Sequence, residues 1–232
     1  MFKRVLPALA AGLLFATMAA AQISGLCNTG QTRAASAGCT GVLVTPNPQG
    51  GGPQRDNNWA LAYPYPSTIS PENGPCDLKA FIEAWVDTPF PAWLANSTSS
   101  ASEWITPFNG ENNVSGGSYV YGTKFPVPSV LPGGIVPTSV TINGRLSSDN
   151  ATAGLYLESP ANSSGCSMVR GLPVPINNGT DWNQWTDFSF TRPITAGADA
   201  YLFVLVLNET LISSLPSPQG LRVEFFATSA FN

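Results

Sequence analysis

Histidine is absent from all 232 residues of the chain. Its absence removes Ser-His-Asp and Cys-His catalysis and every metal site that needs an imidazole ligand. Charge is scarce as well: Asp, Glu, Lys and Arg make up 10% of the chain, with ten basic against fourteen acidic side chains and a net charge of −4. Nucleic acid and anionic membrane reward clustered Lys and Arg, so neither is expected as a partner. The sequence also lacks long helical periods, internal repeats and any Gly-rich phosphate loop between a strand and a helix. Nucleotide-cofactor chemistry therefore has no cradle.

The chain does have a basic start, Met1-Phe2-Lys3-Arg4, an apolar run from Val5 to Met18, and Ala19-Ala20-Ala21 before Gln22. These are the parts of a secretory signal peptide over 1–21, with cleavage expected after Ala21. The run is shorter than the roughly 20 residues that a membrane span requires, so no span is expected after cleavage. Loss of Lys3 and Arg4 leaves eight basic and fourteen acidic side chains, a net charge of −6. A secreted or periplasmic location follows. In that setting the four cysteines, Cys27, Cys39, Cys76 and Cys166, are expected in disulfides. Three pairings are open; Cys27 with Cys39 and Cys76 with Cys166 is one of them. No CxxC spacing suggests zinc.

Residues 22–55 are rich in Gly, Ala, Asn, Gln and Pro and predict an irregular leader and linker, ending in Thr45–Arg55. The compact part is expected over 56–232. Thr138–Glu158 is its clearest element. Val140, Ile142 and Leu146 alternate with Thr141, Asn143 and Arg145, and Leu155 and Leu157 with Tyr156 and Glu158, the period of two of half-buried strands. Ser147–Thr152 between them is turn-forming, so the stretch reads as a hairpin.

Ala60–Tyr63, Ser118–Val127, Trp185–Thr191 and Leu221–Thr228 are further strands, the last with Arg222 and Glu224 facing outward. Ala200–Leu207, apolar on both faces, predicts a covered central strand. Leu78–Val86 fits a short helix or a strand, with Phe81 and Trp85 expected in the core. Short strands between Gly/Pro/Asn loops predict an all-β fold, an antiparallel β-sandwich, with a closed barrel as the alternative.

Several short motifs recur together: Asp56-Asn57-Asn58-Trp59, Pro91-Ala92-Trp93, Ser102-Glu103-Trp104-Ile105, Tyr119–Phe125, Gly144–Asn150 and Gly220–Phe225. In this order they resemble a group of exported bacterial β-sandwich proteins, many of which carry a PEP-CTERM sorting tail. The resemblance implies a galactose-binding-like or jelly-roll sandwich. Ala227–Asn232 has neither the hydrophobic tail nor the basic cluster of that pattern, so a freely soluble product is expected.

Three chemistries stay open. Paired carboxylates such as Glu103 with Glu158, or Glu83 with Asp87, would suit glycoside hydrolysis, although surface carboxylates are the simpler reading and a non-catalytic role is expected. Asp149 and Asn150, with Asp56 as a third ligand, offer the oxygen donors that calcium takes; no other cofactor is expected. Trp182 and Trp185, with Asn178, Asp181 and Gln184 in the same polar loop, have the composition of a sugar-binding surface: aromatic faces for the ring, amides and a carboxylate for the hydroxyls. Trp59, Trp93 and Trp104 fit core or corner positions. The expected function is binding of a glycan or extracellular surface component, with structural or adhesive contacts to an extracellular protein as the alternative.

Overall fold

The computed structural model describes residues 23–33, 39–44, 54–63, 80–87, 91–95, 101–108, 113–149, 151–158, 169–170, 181–208 and 217–232. The strands within them are β1 (Gln31–Arg33), β2 (Cys39–Leu43), β3 (Arg55–Tyr63), β4 (Ala80–Val86), β5 (Ile105–Thr106), β6 (Asn113–Val114), β7 (Gly117–Pro126) and β8 (Ser139–Ser148). They continue with β9 (Ala151–Glu158), β10 (Val169–Arg170), β11 (Thr186–Pro193), β12 (Asp199–Asn208), β13 (Ser217–Pro218), β14 (Leu221–Phe225) and β15 (Ala230–Phe231). Helical structure among the described residues is one 3-10 turn, Asp181–Asn183. None of it is long and apolar enough to cross a membrane.

Every strand pairing among the described residues is antiparallel. One hydrogen-bonded path runs β10-β9-β12-β7-β3-β4-β5-β14-β8-β11, with β15 also on β8. The narrow point is β5, where Ile105 pairs with Val86 on one side and Leu221 on the other. Either side of it the path divides into two layers whose inward faces meet. Tyr119, Tyr121, Phe125, Leu202 and Val204 of one layer share a buried cluster with Ile142, Leu146, Val223 and Phe225 of the other. Trp59 stacks on Phe225 between the layers at 6.3 Å. Each such side chain, fully buried, stabilises by roughly 1.5–3 kcal/mol, and the period of two in β7 and β8 is what delivers them all to one face. The antiparallel β-sandwich is therefore the fold.

β12 has the covered central place expected of it, between β7 and β9. Leu202, Val204 and Val206 face the main core, while Phe203 and Leu205 join Ala62, Val120 and Tyr156 in a second cluster on the other face.

Four expectations change. Thr138–Glu158 is not a hairpin: β8 pairs with β11, β14 and β15, whereas β9 pairs with β10 and β12. The short connection at Asp149 crosses from one layer to the other, because both arms bury their apolar faces in the same core from opposite sides. Ala80–Val86 is a strand, and its inward residues are Ile82, Ala84 and Val86. Trp85 lies on the opposite face with the Arg55 guanidinium 4.4 Å over its ring; the Phe81 side chain lies outside the described residues.

The third change concerns the leader, since Ile23 and Leu26 sit in the main core. Asn28 Oδ1 accepts the Phe225 N–H at 2.7 Å, Thr29 Oγ1 accepts the Val223 N–H at 3.0 Å, and Trp59 Nε1 donates to the Cys27 carbonyl at 3.0 Å. A Cys27–Cys39 disulfide ties this segment to β2, a cross-link of a size that stabilises by about 3 kcal/mol. Cys76, Cys166 and residues 45–53 of the expected linker lie outside the described residues. Fourth, Arg222 and Glu224 do point away from the core, yet they are buried, at 2% and 5% exposure, because Asn28 and Thr29, the Leu94 and Ala95 carbonyls and Ser102 lie against that strand.

Gly144 marks how tightly β8 is held between β11 and β14. A Cβ there would lie 2.5 Å from the Glu224 carbonyl oxygen and 2.7 Å from the Phe188 ring. Gly144→Ala is expected to destabilise by about 1–3 kcal/mol, read as a lower urea midpoint with an unchanged slope.

Candidate functional site

Four segments converge beside the outer face of β14. The turn at 91–95 carries Trp93, whose ring packs on Trp104 with centroids 4.4 Å apart and lies against Gly220, where a Cβ would come within 2.6 Å of it. Only glycine at 220 admits the indole at this depth. Trp93 Nε1 donates to Asp149 Oδ2 at 2.9 Å, and the Asp149 N–H donates to the Gly220 carbonyl at 3.0 Å. The Leu94 N–H donates to the Trp182 carbonyl at 2.9 Å, which fixes the 3-10 turn over the 91–95 turn. Pro218 is placed by the β13–β6 pairing and by its neighbour Gln219, whose Oε1 accepts the buried Tyr121 hydroxyl. The result is a cleft of about 220 Å³ lined by Ala92, Trp93, Asp149, Trp182 and Pro218. Among the described residues it has an aromatic and proline wall and the Asp149 carboxylate, 8% exposed.

The structure thus joins Trp182, read as a sugar-stacking residue, with Asp149, read as a calcium ligand. Trp185 goes elsewhere. The guanidinium of Arg145 lies 4.4 Å over its ring and that of Arg222 at 5.0 Å, so its π-face serves two cations. Gln184 is exposed and does not line the cleft; Asp181 opens the 3-10 turn, and its side chain lies outside the described residues. Asn178 and Asn150 lie outside the described residues. Trp93 and Pro218 were not legible as cleft residues: they stand 56 and 69 positions from Asp149 in the sequence, and no periodicity links them.

Asp56 does not join Asp149. Its carboxylate accepts N–H groups of Gly30 at 2.7 Å, Asn58 at 2.8 Å and Trp59 at 3.1 Å, a set of donors that a calcium ion would have to displace. Among the described residues no three Cys, Asp or Glu side chains are grouped to hold a metal. Glu83 forms an exposed ion pair with Arg55 at 3.1 Å, Asp87 accepts from Thr106 at 3.3 Å, and the Glu158 side chain lies outside the described residues. Of the candidate carboxylates, Glu103, Glu83 and Asp87 all lie off the cleft lining.

The floor behind the cleft is an ionic network. Arg145 Nε donates to Glu224 Oε2 at 2.7 Å, the Ser102 hydroxyl donates to Glu224 Oε1 at 2.8 Å, and Arg222 donates through Nε to Ser102 Oγ at 2.8 Å and through Nη2 to the Ser102 carbonyl at 2.9 Å. Burial lowers the Arg222 pKa, against the pull of Glu224. Glu103 stands beside this network and feels the Arg222 charge, but it is 7% exposed and its Oε2 has no hydrogen-bond partner. Burial raises its carboxyl to about 7, more than the Arg222 charge lowers it, and Asp56 raises it further.

No family model matches the chain, and no curated protein does. Among solved structures it is similar to a CBM6 carbohydrate binding module from Cellvibrio mixtus lichenase 5A in complex with cellotriose, at 14% identity and a TM-score of 0.30, over 61% of this chain and 86% of that one. It is similar to a CBM35 from Paenibacillus barcinonensis at 15% identity and a TM-score of 0.30, over 61% and 88%. A family 35 carbohydrate binding module from Clostridium thermocellum overlaps at 13% identity and a TM-score of 0.29, over 60% and 86%. Superposition this partial does not transfer a ligand.

Glu103 gives a signed pH dependence. Between its ordinary value of 4.5 and about 7 the folded protein holds a proton that the unfolded chain has released, so stability is full below pH 4.5 and falls as pH rises through 7. The loss is expected to be about 2 kcal/mol. Glu103→Gln should remove this slope in urea titrations run from pH 4 to 8 and melt above wild type at pH 8.

Proposed function

We propose that the protein is an exported, non-catalytic β-sandwich that binds a glycan through the Trp93–Asp149–Trp182 cleft. The observation that carries this reading is the preformed pairing of a half-buried indole, Trp182, with a carboxylate held in place by the Trp93 N–H. A sugar ring presents C–H groups on its faces and hydroxyls at its rim. Aromatic rings take the former, and a carboxylate is the acceptor type that takes the latter. The cleft is small and shallow, so it suits one or two sugar units with weak affinity. Export is supported by the composition of residues 1–21 and by the Cys27–Cys39 disulfide, a bond that persists in oxidising compartments.

A second reading has its own observation. Val130, Ile135 and Val136, on the loop between β7 and β8, are 53%, 59% and 56% exposed, and the Leu131 N–H donates to the Ile135 carbonyl at 2.7 Å to brace the loop. An apolar projection of this kind supports adhesive contact with an extracellular protein. Competition by a soluble sugar separates the two readings.

The test is a glycan array probed with the chain from Gln22 onward. Trp182→Ala should weaken binding by about 30-fold, in line with the ~2 kcal/mol of a buried aromatic anchor, and leave the melting temperature within about 2 °C of wild type, since Trp182 is only half-buried. Equal binding by variant and wild type, or binding of no glycan, overturns the proposal.

A further inference from the structure

We propose that the protein has a second binding site, apart from the Trp93 cleft, for a small planar aromatic molecule that carries one N–H or O–H donor, such as a phenol or an indole, with Asn58 as the hydrogen-bonding residue. The site is a pit of about 180 Å³ on the outer face of β3, β7 and β12, lined by residues that include Asn58, Ala60, Gly122, Tyr201 and Phe203.

Strand register makes the pit. Ala60 pairs with Gly122, and Gly122 pairs with Phe203, so a methyl group and a bare α-carbon lie side by side next to a ring. Side chains two apart on a strand share a face. Ala62 and Val120, two positions along from Ala60 and Gly122, pack with Phe203 in the second cluster, against which Tyr201 also lies. The small pair is thus the floor and the two rings a wall. The Tyr201 and Phe203 rings have centroids 6.2 Å apart and planes within 6° of parallel. A planar ligand packs against such rings offset or edge-on, and an apolar void of roughly 150 Å³ is enough to hold benzene.

Asn58 supplies the polar end. It is 7% exposed, and its Nδ2 donates to the Gln31 carbonyl. A carbonyl accepts and cannot donate, which fixes the orientation of the amide and leaves Oδ1 as its acceptor. Oδ1 has no hydrogen-bond partner among the described residues. A buried acceptor without a donor is costly, and a ligand that donates one hydrogen bond while it lays a ring against Tyr201 and Phe203 offsets that cost. A ring of the same shape without the donor desolvates Oδ1 and gives nothing in return.

The test titrates the purified protein with two pairs of matched shape, phenol against toluene and indole against indene, and with methyl β-glucoside. Calorimetry and the NMR shifts of the Asn58 side-chain amide follow the binding. Phenol and indole are expected to bind with a Kd of about 1 mM or tighter. Each should bind about tenfold more tightly than its hydrocarbon counterpart, although the hydrocarbon is the more apolar of the pair. Ala60→Leu fills the pit from a half-buried position and should abolish binding in a protein that still folds. Asn58→Leu should remove the preference for the donor. Toluene binding as tightly as phenol, or no binding of any of the four rings, overturns the proposal. So does phenol binding unchanged in Ala60→Leu, or methyl β-glucoside binding more tightly than phenol. The phenol and toluene comparison in wild type decides the donor requirement even if Asn58→Leu melts early.

Discussion

The outer face of β14 is the constraint on which the rest of the molecule depends. Its inner residues Leu221, Val223 and Phe225 belong to the core, but alternation forces Arg222 and Glu224 onto the other side, and that side is covered. A buried charge costs several kcal/mol unless it is paired and hydrogen-bonded. Ser102, Arg145 and the Leu94 and Ala95 carbonyls supply those partners, so residues 93–95 and 101–105 are drawn against the strand. Trp185 closes the cluster from above with its ring against both guanidinium groups. Once this strap is fixed, Trp93 has one place to go, over Gly220 and against Asp149. The cleft is thus a consequence of satisfying two buried charges, and its rigidity is inherited from them.

The same strap explains why one carboxyl is left in conflict. Glu103 follows Ser102, and its backbone must pair with Thr29, whose carbonyl accepts the Glu103 N–H at 2.9 Å. That pairing seats the side chain between the Arg222 charge and Asp56, in a space made by the missing side chain of Gly30, where a Cβ would lie 2.7 Å from that of Glu103. Backbone pairing wins over side-chain solvation there. Gly30 at φ +77° is in the left-handed region that glycine tolerates, so its identity serves both the turn and the close approach.

Strand positions and facing were legible in the sequence because alternation is a local property: β7, β8, β11 and β12 all put the expected residues inward. Partnership was not. β8 and β9 adjoin in the chain yet belong to different layers, and nothing in Ser147–Thr152 distinguishes a hairpin turn from a crossing between layers. Nor could composition reveal that the Gly- and Asn-rich stretch 23–33 is structural, since it is held by side-chain-to-backbone bonds such as Asn28 to Phe225, 197 residues apart. The site was half legible. Trp182 stood out by its polar neighbours and Asp149 by its turn, but their meeting, and the diversion of Trp185 to two arginines, are tertiary facts.

The bonds from Asn28 and Thr29 to β14 carry one more consequence, for the order of events during synthesis. Asn28 and Thr29, made early, have backbone partners 197 and 194 positions downstream, so this segment cannot complete its hydrogen bonding when it is synthesised. Contacts of such long range are slow to form because the intervening loop must be ordered first. The chain therefore emerges from the ribosome unable to complete its sandwich until β14 is available, so the last strands to be made decide when the first residues can be buried.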